Sequence, residues 1–157
     1  MSGCGFQAYI AISEECGGAK KAIAFYKKVF GATVKLAVAS GDRPDKVMHG
    51  ELKFGDTTLM ISDAFPGFSK TPQDLGGTPV TFFLSIPKGS KAAYDAAIAE
   101  GAKVVEGREY KDQPWGWTAG TIVDPFGYAW TVGEDTKGWS DKEITENMGM
   151  KDVSAEI

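Results

Sequence analysis

The single histidine, His49, stands two residues before Glu51. On a strand that spacing puts both side chains on one face, where an imidazole and a carboxylate can pass a proton. The alternatives are a strand-edge or dimer contact for His49 and an ion pair with a lysine across the strands for Glu51. Asp63, at the end of an apolar run, either orients a ligand amine or hydroxyl or caps a turn through its own backbone. A further set is aromatic: Trp115, Trp117, Tyr128 and Trp130 crowd one stretch, with Phe65 and Phe68 upstream. Trp115 and Trp117 border a Gly/Pro-containing loop and are expected to wall a pocket, since tryptophans bury large area and stack on planar ligands. Trp130 is expected in the core. Cys4 and Cys16 form no nucleophilic pair with His49, and no phosphate-cradling glycine loop or serine elbow is present.

The elements that must position these residues occur twice. Gly31-Ala32-Thr33-Val34 follows a helical pattern, and Gly101-Ala102-Lys103-Val104 follows another. Phe54-Gly55 precedes the apolar run Leu59-Met60-Ile61, and Phe126-Gly127 precedes Trp130-Thr131-Val132. The pattern is strand, helix and three strands, duplicated. Residues 6–12 make a strand, 19–30 a helix stopped by Gly31, and 33–39 a half-buried strand by alternation. Residues 47–54 and 57–62 form a hairpin around Gly55-Asp56. Residues 80–86 open the second copy, Ser90 is expected to cap a helix running to Glu100, and 117–123 with 128–132 make the last hairpin. Ser140 and Glu143 have capping-box spacing for a short terminal helix that packs with Trp139, Ile144 and Met148. The expected organisation is a single domain over 1–157: a first module at 6–63, a connector at 64–78, a second module at 79–133, and a helix at 139–149.

With 157 residues, 43% apolar and 24% charged, the composition is that of an ordinary globular protein. The formal charge of -4 and the absence of a basic run interleaved with aromatics argue against nucleic acid and anionic membranes. No apolar run is long enough to span a bilayer, and two cysteines without a leader pattern suit a reducing compartment, so the expected location is cytoplasmic.

Several motifs carry a resemblance. They are Ala22-Ile23-Ala24-Phe25-Tyr26 with Val29-Phe30-Gly31-Ala32, His49-Gly50-Glu51-Leu52 before Phe54-Gly55-Asp56, Leu59-Met60-Ile61-Ser62-Asp63, and Trp115-Gly116 with Asp124-Pro125-Phe126-Gly127-Tyr128-Ala129-Trp130. Together they resemble the glyoxalase/bleomycin-resistance/dioxygenase (vicinal oxygen chelate) superfamily, and within it the PhnB-like branch. The resemblance implies an α+β fold of two tandem βαβββ modules forming a curved mixed sheet around a groove, and a homodimer. Relatives that do chemistry hold a divalent metal at four strand positions, which here fall on Gln7, Met60, Thr81 and Thr131. None is a histidine or a carboxylate, and neutral oxygens and a thioether are poor donors to such ions. The expectation is therefore a protein with no metal and no cofactor that binds a small molecule through Gln7, Met60, Thr81, Thr131, Trp115 and Trp117. One alternative is a glyoxalase-like lyase or isomerase using His49, Glu51 or Asp63. Another is a dimeric structural module whose groove is filled by its own side chains. Where the branch has Gly-Asp-Arg after its tryptophan, this chain has Gly116-Trp117-Thr118, an aromatic wall in place of a charged one.

Overall fold

Ala22, Ile23, Phe25, Tyr26 and Val29 recur at helical spacing. In the computed structural model, which describes residues 5–156, they form the buried face of a helix (α1, Gly18–Phe30). Gly31 ends it in the left-handed conformation, at φ 67°, returning its N–H to the Tyr26 carbonyl. The flanking strands are β1 (Ala8–Ile12), β2 (Thr33–Val38), β3 (His49–Phe54) and β4 (Thr57–Asp63). They form a four-stranded sheet in the order β1-β4-β3-β2, with β1 parallel to β4 and the other pairs antiparallel. Ile10, Ile12, Leu52, Leu59 and Ile61 are buried. The opposite pleat carries Tyr9, His49, Glu51 and Met60, with Tyr9 and Glu51 both facing Met60 in register. All six residues of β2 are exposed. Alternation had suggested a half-buried strand, but β2 is the outermost strand and its pattern meets no covering layer.

The second copy is β5 (Thr81–Ser85), a helix α3 (Ser90–Ala99), and the strands β6 (Lys103–Val104), β7 (Lys111–Asp112), β8 (Trp117–Val123) and β9 (Ala129–Asp135). Its order, β5-β9-β8-β6, repeats that of the first sheet, and β7 pairs with β8 as an addition. This is the α+β duplication expected from the sequence. Val132, Ile122 and Trp130 are buried, with the Trp130 ring centroid 4.8 Å from that of Phe82. Ser90 is not the helix cap. Its buried hydroxyl is taken by the Tyr110 hydroxyl at 2.5 Å, and Gly89 occupies the cap position. The connector contains one turn of helix unforeseen from its Gly/Pro content, α2 (Pro72–Leu75), closed by a capping box of Thr71 and Asp74. The expected Ser140–Glu143 capping box is present on the terminal helix α4 (Asp141–Asn147). Cys4 lies outside the described residues. No helix among those residues is long and apolar enough to cross a membrane.

The chain divides into two compact units, one reaching to Pro79 and including Asp124–Tyr128, the other made of the rest. Within the first, Asp124 accepts from the N–H groups of Phe126 and Tyr128, both at 2.9 Å, and from the Tyr26 hydroxyl at 2.6 Å. The same turn aims the Tyr128 hydroxyl at the Ala11 carbonyl, 2.8 Å away. Burial pushes this phenol up to about 12, and the Asp124 charge acts in the same direction. A raised folded-state value gives stability that is complete below the unfolded value near 10 and lost as pH rises through about 12. Tyr128→Phe is therefore expected to cost about 1 kcal/mol at neutral pH, the ordinary loss of one hydrogen bond. It should also flatten the alkaline fall in urea midpoint expected of the parent protein across that window.

Candidate functional site

On β8 and β9 of the second unit, alternation sets Thr121, Thr131 and Phe83 in one row across three strands, because Phe83 pairs with Thr131 and Thr131 with Thr121. The two threonine hydroxyls are 2.9 Å apart. Next along β8 and β9 are Ala119 and Gly133, also in register. A methyl at position 133 would come within 2.6 Å of the Ala119 Cβ, so the floor at this point is as low as side chains allow. Trp117 meets the Phe83 ring edge-on, with centroids 5.2 Å apart.

The segment between β6 and β8 forms the rest of the wall. Thr121 N–H donates to the Arg108 carbonyl at 2.8 Å, and Val105 N–H to the Thr121 carbonyl at 3.0 Å, so this stretch runs along β8. The Gln113 carboxamide donates to the carbonyls of Ala119 (2.9 Å) and Lys111 (3.2 Å). The Trp115 turn is held from outside. Thr136 and Lys137 donate to the Gly116 carbonyl, the Trp139 ring lies against Gly116, and Asn147 of α4 donates to the Pro114 carbonyl at 2.7 Å. The terminal helix thus straps the loop that carries Trp115. Together these residues form a half-open cavity of about 440 Å³ lined by Phe83, Arg108, Gln113, Trp115, Thr121 and Thr131, with small residues between them.

Of the expected ligand contacts, Trp115 and Thr131 line this cavity, and Trp117 supports it through Phe83. Thr81 shares the Phe83 face of β5 but lies outside the lining. Gln7 and Met60 belong to the first unit, Gln7 exposed ahead of β1 and Met60 half-buried in β4. The four positions that the resemblance assigns to a metal carry neutral oxygens and a thioether, a donor set that does not fit a divalent ion. Among the described residues there is also no group of three His, Cys, Asp or Glu side chains able to hold one.

The proton-transfer candidates lie on the first unit. His49 Nε2 is 3.4 Å from Glu51 Oε1, and the His49 ring tilts against Tyr9. Lys35 takes the other Glu51 oxygen, and the lysine first and His49 second hold this carboxyl below the usual glutamate range. The ion pair with a lysine across the strands is thus present, beside the His49 contact. Asp63 is different. It points to the α1 side of the sheet, almost fully buried, with Oδ1 accepting from Ala19 N–H at 3.0 Å and Oδ2 from Val47 N–H at 2.7 Å. Both its oxygens serve the backbone, although not its own backbone as in the turn-capping expectation. It caps α1 from a distance, next to Gly18, where a Cβ would come within 2.5 Å of Oδ1.

Sequence reasoning missed Phe83, Arg108, Gln113 and Thr121. Phe83 and Thr121 follow from register once Thr131 is placed. Arg108 and Gln113 sit on an irregular stretch with no period to read.

A family model described as Glyoxalase/Bleomycin resistance protein/Dioxygenase superfamily matches residues 16–132. The chain is 39% identical over 138 residues to the protein Rv0887c of Mycobacterium tuberculosis, covering 85% of this chain and 78% of that one. Among solved structures, protein PA1353 from Pseudomonas aeruginosa is similar at TM-score 0.66 and 23% identity, covering 85% of this chain and 98% of that one. TnmS3, an antibiotic binding protein from Streptomyces sp. CB03234, is similar at TM-score 0.58 and 18% identity, covering 86% and 98%.

Proposed function

Because the chain belongs to the glyoxalase/bleomycin resistance protein/dioxygenase superfamily, we propose that it is a metal-free small-molecule-binding protein of the PhnB-like branch. The cavity of the second unit is its binding site. The observation that carries this reading is the cavity itself. Its volume, about 440 Å³, lies in the range that suits small ligands, and aromatic walls surround a few polar groups. Among the described residues no carboxylate or imidazole lines it, which supports binding over a reaction that needs a general base or a metal. TnmS3, an antibiotic binding protein, is a precedent for this use of the fold, as an analogy. The branch assignment rests on the His49-Gly50-Glu51-Leu52 and Asp124–Trp130 motifs.

The protein is proposed to work as a cytoplasmic homodimer. Tyr9, Leu36 and Val38 are each more than two-fifths exposed on the first sheet, and β2 is an open edge of the kind that proteins commonly cover. Light scattering on the purified protein tests the dimer.

The second reading, a lyase or isomerase, draws on the His49–Glu51 pair. His49→Ala separates the two readings. Under the binding reading, the variant keeps its melting temperature and its affinity for aromatic ligands within about twofold. Loss of any measurable turnover in that variant, with the fold intact, would favour the enzyme.

A further inference from the structure

Resting on the reading of this cavity as the binding site, we propose that its ligand is a planar aromatic anion, with an acidic oxygen held by Arg108 and a ring against Trp115 and Phe83. Among the described residues, Arg108 is the only charged one lining the cavity, and no carboxylate pairs with its guanidinium. The adjacent Glu109 is turned to its own loop, where it accepts from Gly107 N–H at 3.0 Å and lies 3.8 Å from Lys111. A guanidinium with five donors and no anionic partner, at the edge of an apolar recess, matches a carboxylate or an enolate in charge and in geometry.

The hydroxyl pair on the floor points the same way. Thr121 and Thr131 share one hydrogen bond, which uses one of their two hydroxyl protons and leaves the other for a ligand oxygen. Gln113 supplies the complement. Both protons of its amide nitrogen are given to the Ala119 and Lys111 carbonyls, a pattern that fixes which atom is nitrogen. Its carbonyl oxygen remains as an acceptor, suited to a ligand O–H or N–H. The cavity thus presents a cation, a hydroxyl donor and one neutral acceptor between aromatic walls. A cationic ligand would find no counter-charge in it.

Three isosteric probes test this: naphthoate, naphthamide and naphthylmethylammonium, titrated by calorimetry against the full chain. Naphthoate is expected to bind about tenfold or more tighter than the amide, the scale of a charge-assisted hydrogen bond, and the ammonium compound weakest. In Arg108→Met the ratio of naphthoate to naphthamide affinity should fall to about one, whatever the common loss of affinity that the two probes share. Arg108→Lys should restore part of the preference. Equal affinities for naphthoate and naphthamide would overturn the anion assignment and leave the binding site standing. So would a preference for naphthoate that survives Arg108→Met. If none of the three binds or shifts the amide resonances of the cavity, the site reading fails and the inference falls with it.

Discussion

Replacing Asp63 by alanine is expected to lower unfolding stability by about 3 kcal/mol, and the melting temperature by about 6–12 °C for a chain of this size. The physical cause is the loss of one buried acceptor that serves two backbone donors, Ala19 N–H at the start of α1 and Val47 N–H before β3. Without it both N–H groups are stranded in the interior, and α1 loses the negative charge at the positive end of its dipole. Gly18 packs too closely on the carboxylate for a larger neighbour to take its place. Calorimetry measures the shift. If Asp63 instead served a ligand, Asp63→Ala would keep its melting temperature and lose affinity.

Trp115→Ala is the second large effect, read in binding. An indole that closes one wall of the cavity contributes on the order of 1.5–3 kcal/mol when a ligand buries it, roughly 10- to 150-fold in Kd. The residue is half-buried on a turn strapped by Asn147 and Trp139 and stands outside the buried core, so its removal should cost little stability. Trp139→Ala, which loosens the strap, is expected to weaken binding less, because the indole of Trp115 is still present. Titration of an aromatic probe against the two variants checks that order. Unchanged affinity in Trp115→Ala would remove the aromatic wall from the account.

Much of the fold was legible because periodicity and glycine placement are local signals. The apolar positions of α1, the stop at Gly31 and the Ser140–Glu143 capping box each depend on neighbours a few residues apart. The repeat then supplied the succession of elements twice. Where the reading failed, the deciding partner was distant or masked. Ser90 has the right residue type for a helix cap, yet a tyrosine 20 residues away claims its hydroxyl. Thr71 and Asp74 carried a capping box of their own, hidden among the prolines and glycines of the connector. Asp63 was open between a ligand contact and a cap on its own turn, and nothing in the sequence says that its oxygens reach residues 16 and 44 positions away.

The candidate site was half legible for related reasons. Trp115 and Thr131 were identified from residue type and the repeat, and counting back from the Asp124–Gly127 turn would have added Thr121 as the partner of Thr131. Arg108 and Gln113 belong to a segment whose course is set by hydrogen bonds to β8 rather than by any repeating pattern. Gln7, Met60, Thr81 and Thr131 were grouped through the resemblance, with the repeat in support. In the structure they divide between two units, and only Thr131 lines the cavity.

The most direct measurement is a map of amide and indole N–H shifts as an aromatic probe such as naphthamide is titrated into chelator-treated protein. The account expects shifts gathered on Arg108, Gln113, Trp115, Thr121 and Thr131, with the same affinity whether or not zinc or manganese is then added. Shifts centred on His49 and Glu51, or binding that begins only after a divalent ion is supplied, would contradict it.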